Sequence, residues 1–210
     1  MSIFSHNSRF FGKKSPRAFT LVELLAVTVI ITIVTMTMLL RQSTFDSSTV
    51  LRSTAYSLAL SIRQAQVYGV SVLGSSNAGN VSFAPGYGIS FSRTSTQSYI
   101  LFADFNNSGM YDTGEAVKVF TLSNGYTVSE ACAIASNGNK SCTGSHDTAG
   151  TYTLDSVNIV FRRPNPDAVF NANAGYVSAW VQIKSPNGTA RSISITAPGQ
   201  ISVQAPGTLP

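Results

Sequence analysis

Charge is scarce in this sequence. Asp, Glu, Lys and Arg make up 11% of the 210 residues, against 43% hydrophobic residues, which excludes a disordered chain or a coiled coil, since both depend on charge. Cysteine occurs twice, histidine twice and tryptophan once. Neither cysteine has another Cys or His at metal-ligand spacing, so a zinc centre of the usual kind is not expected. Catalytic signatures are also missing: there is no Gly-x-Ser-x-Gly, no phosphate loop and no helix face with paired carboxylates. His6 and His146 are solitary, and His146 lies in a Gly/Ser/Thr loop where it reads as a solvated surface residue. An enzyme is not expected.

Acid is absent before Glu23. Arg9, Lys13, Lys14 and Arg17 all fall in the first 18 residues, leaving ten basic against nine acidic residues in the rest. The formal charge of +5 and the pI of 9.4 therefore describe a short basic leader and not a basic binding surface. A nucleic-acid partner loses its main support. The length suits one domain, or one domain with an appendage, large enough to bury a core.

From Leu24 to Leu40 seventeen residues carry no charge, the short limit for a helix that spans a bilayer. Thr28, Thr32, Thr35 and Thr37 soften this run, and each hydroxyl can bond the helix backbone one turn earlier. Arg41 closes it. The basic leader should stay cytoplasmic, which places everything after Arg41 outside the cytoplasm. Leu39-Leu40-Arg41-Gln42 offers no small-residue site for a signal peptidase, so cleavage behind the apolar run is not expected. Glu23 is the odd residue, a carboxylate at the edge of lipid that needs a reason to be there.

Residues 14 to 25, Lys-Ser-Pro-Arg-Ala-Phe-Thr-Leu-Val-Glu-Leu-Leu, resemble the class III leader junction of type IV pilins and type II secretion pseudopilins. The resemblance implies cutting between Ala18 and Phe19 by a prepilin peptidase, N-methylation of Phe19, and Glu23 as the assembly carboxylate. Ala18 stands where the family has Gly. In a helical stack of subunits, Glu23 of one would neutralise the Phe19 ammonium of its neighbour. The partners implied are the peptidase, other pilins, an inner-membrane platform with its assembly ATPase, and membrane lipid.

Behind Arg41, Leu51, Ala55, Leu58, Ile62, Ala65 and Gly69 alternate at spacings of four and three, one apolar helix face, with Arg52, Ser57, Arg63 and Gln64 away from it. One helix is expected from about Phe19 to about Val70. Beyond it the period becomes two, predicting strands at 87–93, 99–104, 117–122, 126–130, 157–162, 177–184, 190–196 and 201–203. Pro85-Gly86, Asn124-Gly125 and Pro186-Asn187-Gly188 read as turns, and Asn124-Gly125 suits a two-residue hairpin. The expected fold is α+β: a leader over 1–18, a transmembrane half-helix over 19–41, an amphipathic half over 42–74, and a largely antiparallel β head over 75–210. Gly86-Tyr-Gly-Ile-Ser-Phe91, the stretch Phe102 to Gly109 with Asp112 and Glu115, and Ala190 to Ile195 before Gly199 resemble H-type minor pseudopilins and FimT/FimU-type minor pilins.

Three sets of residues could carry chemistry in the head. Asp104, Asn106, Ser108, Met110 through its carbonyl, Asp112 and Glu115, with Gly109 at the sixth position, match the calcium-loop template between two strands. The same residues also suit a hairpin loop capping its own backbone. No cofactor is required, and calcium is the ion the pattern would take. Cys132 and Cys142, in a loop rich in Ser, Asn and Gly, would form a disulfide outside the cytoplasm or remain as two thiols. For DNA, Arg162, Arg163, Lys184 and Arg191 are the basic candidates, but the Gly-Arg-x-Arg of DNA-receptor relatives is replaced by Gly199-Gln-Ile-Ser202. A minor pilin or pseudopilin is therefore expected, ahead of a pilus-borne DNA receptor or a membrane-anchored binding module that never polymerises.

Overall fold

The computed structural model describes residues 19–71, 74–77, 80–83, 86–144, 151–173 and 175–205, with side chains at 40–46, 75–83, 151–153 and 173 left aside. Ala18, His6 and His146 lie outside the described residues. The chain divides into two compact units, one ending at Ser43 and the other beginning at Thr44. Helix α1, Leu21–Val70, contributes to both.

In the first unit, Leu21–Leu39 has a mean hydropathy of 2.3 and none of it is buried within the chain. By length and composition this segment can cross a membrane. Its threonines are satisfied as the pattern requires: Thr28 Oγ1 donates to Leu25 O at 2.9 Å, Thr32 to Thr28 O at 2.6 Å, Thr35 to Ile31 O at 2.8 Å and Thr37 to Val34 O at 2.8 Å. Four hydroxyls on an apolar helix thus leave no donor that needs water.

The second unit is the head. Its strands are β1 (Gly74–Asn77), β2 (Asn80–Phe83), β3 (Gly86–Ser92), β4 (Ser98–Asp104), β5 (Ala116–Thr121), β6 (Thr127–Ala135) and β7 (Lys140–Cys142). After them come β8 (Thr151–Thr153), β9 (Ser156–Arg162), β10 (Ala168–Phe170), β11 (Tyr176–Lys184), β12 (Ala190–Thr196) and β13 (Ile201–Val203). β1 and β2 form a hairpin; a five-stranded sheet runs β10-β9-β3-β4-β5, and a six-stranded sheet runs β13-β12-β11-β6-β7-β8. Every pairing is antiparallel except β7 with β8. The architecture is α+β and pilin-like, as the pattern implied.

One core joins helix and sheets. Leu51, Ala55, Leu58, Ile62 and Ala65 meet Ile89, Phe91, Leu101, Ile159 and Phe161 of the five-stranded sheet and Val181, Ile183, Ile193 and Ile195 of the six-stranded sheet. Gly69 continues the helix stripe for a steric reason: a Cβ there would run into the backbone carbonyl of Phe161. The helix can rest on the sheet only because that position is bare.

All eight strands read from the period are present, but three readings change. Asn124 and Gly125 adopt φ of 58° and 75°, and Tyr126 N donates to Ser123 O at 3.2 Å, so the primed turn forms. It does not close a hairpin, however: β5 and β6, on either side of it, belong to different sheets. The turn is a corner between layers. Cys132 sits inside β6, which continues to Ala135, five residues past the expected end. β1, β2, β7, β8 and β10, of three or four residues each, were not anticipated.

Candidate functional site

The junction residues open α1. Thr20 is the N-cap: its Oγ1 accepts from Glu23 N at 3.3 Å, while its carbonyl accepts from Leu24 N at 3.1 Å. Thr20-x-x-Glu23 is the spacing of a capping box, which puts the carboxylate in the first turn, where the helix dipole favours negative charge. Phe19 and every large apolar residue from Leu21 to Leu39 are exposed. A carboxylate, an exposed aromatic residue and an exposed apolar helix thus lie on one short segment. The T-x-x-E spacing was legible in the sequence, although attention fell on Glu23 through its charge at the edge of the apolar run and through the resemblance.

The acidic loop between β4 and β5 holds itself together. Asp104, completely buried, accepts Ser108 N at 2.9 Å and Gly109 N at 3.0 Å, and its Oδ2 pairs with Arg162 Nη2 at 2.8 Å. Gly86 makes this pair possible. On β3 it is the register partner of both Asp104 and Arg162, and a Cβ there would sit 2.9 Å from Arg162 Cγ, so only a bare position lets the arginine cross the middle strand. Gly88 repeats the device between Phe102 and Val160.

Glu115 accepts Phe105 N at 2.9 Å and Asp112 N at 3.0 Å. Asp112 Oδ2 accepts Asn106 Nδ2 at 2.8 Å and Ser108 Oγ at 3.1 Å, and Ser108 Oγ donates to Met110 O at 3.0 Å. The six expected ligands do lie in one loop, with Gly109 at φ 77°. Their oxygens point to donors of this chain, and the positive charge beside Asp104 comes from Arg162. Tyr111 then stacks edge-on against Phe102 with ring centroids 5.6 Å apart, seating the loop on the outer face of the sheet.

Cys132 and Cys142 are register partners on β6 and β7 and form a disulfide, with Cα atoms 4.0 Å apart. Trp180 on β11 packs against it. Glu130 stands beside both sulfurs, and these three ligand atoms lie within 4.8 Å of one another. A disulfide offers no thiolate, so the grouping is not a metal site in this oxidation state.

The basic candidates are not gathered. Arg162 ends β9 of the five-stranded sheet and Arg163 follows it, whereas Lys184 and Arg191 lie on β11 and β12 of the other. Arg162 is committed to Asp104, and Arg191 Nη1 donates to Gln204 O at 3.1 Å. Tyr99 is a further polar group in the core: burial pushes its hydroxyl above the ordinary range, while its hydrogen bond to Ser61 at 3.1 Å pulls the other way.

A family model described as the prokaryotic N-terminal methylation motif matches residues 13–39. No curated protein and no solved structure matches the chain. The matched segment contains the capped helix start and most of the exposed apolar run, and it supports a type IV pilin-like protein that prepilin peptidase processes and that assembles with other pilins.

Proposed function

We propose that this chain is a minor pilin or pseudopilin of the H type, a structural subunit of a type II secretion pseudopilus or a type IV pilus. The observation that carries the reading is the methylation motif lying on a helix start whose carboxylate is capped into the first turn and whose apolar surface is uncovered. A precursor inserts with its basic leader in the cytoplasm and its head outside, where the Cys132–Cys142 disulfide can form. Removal of residues 1–18 then creates a Phe19 ammonium four residues from Glu23. Side-by-side packing buries the apolar helices, and Glu23 of one subunit neutralises the Phe19 amine of the next. Both charges are too costly in lipid to remain unpaired.

Mass spectrometry of the protein extracted from membranes of a host with a prepilin peptidase tests this. Loss of residues 1–18 with one methyl on Phe19, and exclusion of Glu23→Ala from sheared filaments, are the expected results. An intact N-terminus, or Glu23→Ala entering filaments as wild type does, turns the reading to an anchored module that never polymerises. The acidic loop is read as self-supporting, with Arg162 in place of an ion. Millimolar calcium should leave the unfolding midpoint of the full chain where chelator leaves it; a rise would make Asp104, Asn106, Ser108, Met110, Asp112 and Glu115 calcium ligands. DNA binding is disfavoured by the division of the four basic residues between two sheets.

A further inference from the structure

We propose that the exposed seam of α1 within the head docks a helix of a different chain, one whose apolar seam carries a carboxylate at its middle. Tyr56, Leu60, Arg63, Val67 and Val70 follow the 4-3-4-3 spacing of a helix-packing seam, about 140° around the helix from the buried stripe by the 100° turn per residue. Leu60 is 69% exposed, Val67 56%, Tyr56 47% and Val70 38%, whereas Leu58 and Ile62 are fully buried. This is a continuous apolar row with a cation at its centre, not a scatter of surface residues.

The surface also has the relief that helix packing needs. Arg63 separates two hollows: one of about 390 Å³ bordered by Val67, Val70 and Pro166, and one of about 210 Å³ bordered by Tyr56, Leu60, Ile201 and Val203. They lie on either side of the seam's centre, where successive side chains of a facing helix would seat.

Charge selects the occupant. Between residues 47 and 70 the helix has Arg52 and Arg63 and no acid. Arg63 Nη1 reaches only Gln66 Oε1, at 2.9 Å, and Arg52 lies 5.7 Å from the Tyr56 ring centroid. Neither has a carboxylate partner among the described residues. Covering Arg63 with apolar side chains would strand a charge, so the covering helix must bring an acid to that point.

A second copy whose seam overlaps this one in full does not supply it. Arg63 is the third of five seam positions, so full overlap with another such seam sets arginine against arginine in the parallel and in the antiparallel sense. The partner is therefore a chain of another sequence, its one seam acid fixing register as a buried polar residue does in a coiled coil. The contact is made by the head and requires no filament, so it stands or falls apart from the assembly role of Glu23.

The full chain in phosphatidylcholine nanodiscs, titrated into fluorescein-labelled amphipathic peptides three heptads long, provides the test. The peptides differ only in the central seam residue, which is Glu, Leu or Lys. The Glu peptide should bind at least ~10-fold more tightly than the Lys peptide, one such factor being the scale of a charge pair at a helix interface. Arg63→Glu should reverse that order, and Leu60→Asp should abolish binding of all three without moving the unfolding midpoint.

Equal binding of the Glu and Lys peptides, an order unchanged by Arg63→Glu, or no binding at all overturns the proposal. Two further outcomes replace it. Dimerisation of the nanodisc-free detergent complex that Leu60→Asp abolishes would assign the seam to a second copy. Flotation with phosphatidylglycerol vesicles that depends on Leu60 and Arg63 while the peptides stay unbound would assign it to a lipid surface.

Discussion

The two halves of α1 use similar side chains in opposite ways. Ile30, Ile31 and Ile33 are all exposed, whereas Ile62 is fully buried against both sheets. In the head half one apolar stripe is buried, and small residues within it, Ala55, Ala65 and Gly69, bring the backbone close to the strands. In the other half apolar residues surround the helix, and every large one from Leu21 to Leu39 is exposed. Apolar surface of that extent is not left to water, and on the proposed function it meets lipid before assembly and other helices after it. One helix thus anchors a fold at one end and supplies an interface at the other.

The sharpest break between the halves is energetic. Ile62→Ala removes atoms from the core where three elements meet, and should cost about 2–5 kcal/mol. Ile30→Ala trims the same atoms from an uncovered helix and should leave head stability unchanged to within about 0.5 kcal/mol. Trp180, the only tryptophan and buried beside the disulfide, reports head unfolding by fluorescence in urea with the full chain in detergent. Equal losses from the two variants would mean that the halves do not divide the work.

A smaller effect is expected at the outer face of the five-stranded sheet, where burial depends on absent side chains. Gly86→Ala places a methyl against Arg162 Cγ and Val160 Cγ1, overpacking that should cost roughly 1–3 kcal/mol. If the damage runs through the Asp104–Arg162 pair, combining Gly86→Ala with Asp104→Asn should cost less than the two changes added. Strict additivity would show that Gly86 serves packing alone.

These cases mark what the sequence could disclose. The helix stripe and the seven longer strands were legible because each repeats its period at least once, so the residues themselves declare the buried face; β13, with three residues, was read from Ile201-Ser-Val203 alone. β7 and β10, with three residues each, contain barely one alternation, too little pattern to declare a face, although each pairs with the strand just before it, β6 and β9. Asn124-Gly125 disclosed its own conformation but not that the chain changes sheets there, which is decided by where β6 finds β11. The acidic loop was legible as a list of oxygens. The cation that satisfies Asp104 lies 58 residues away, and the bare position that lets it arrive lies on a third strand. Local chemistry was readable, and its long-range completion was not.

Alkaline pH should separate the halves more gently. Burial raises the Tyr99 hydroxyl above its ordinary value of 10.0, with the Ser61 bond opposing, and burial raises Tyr126 as well. A raised pKa in the fold means that the unfolded chain loses its proton first, so this stability is fully present below about pH 10 and declines as pH climbs through the folded value. Urea midpoints should hold steady up to pH 9 and then fall. Tyr99→Phe should lower the starting stability through the lost Ser61 bond but flatten the fall. An unchanged slope would place the alkaline sensitivity elsewhere. The first half of α1 has no tyrosine and should be indifferent to this change.

The smallest effect is expected at the other end of the helix. Thr20→Ala removes the acceptor for Glu23 N, a loss of about 1 kcal/mol for a cap. Because Thr20 and Glu23 are exposed and the head core begins only at Leu51, that loss should remain local: amide exchange at Glu23 should quicken by roughly fivefold, the equivalent of that energy, with no change in the Trp180-reported midpoint. The same variant should methylate normally once processed, since the cap shapes the helix start and not the new amine. If the head midpoint instead fell with the cap, helical order would be passing through residues 40–46 into the core, and the two halves of α1 would have to be treated as a single cooperative element rather than as an interface joined to an anchor.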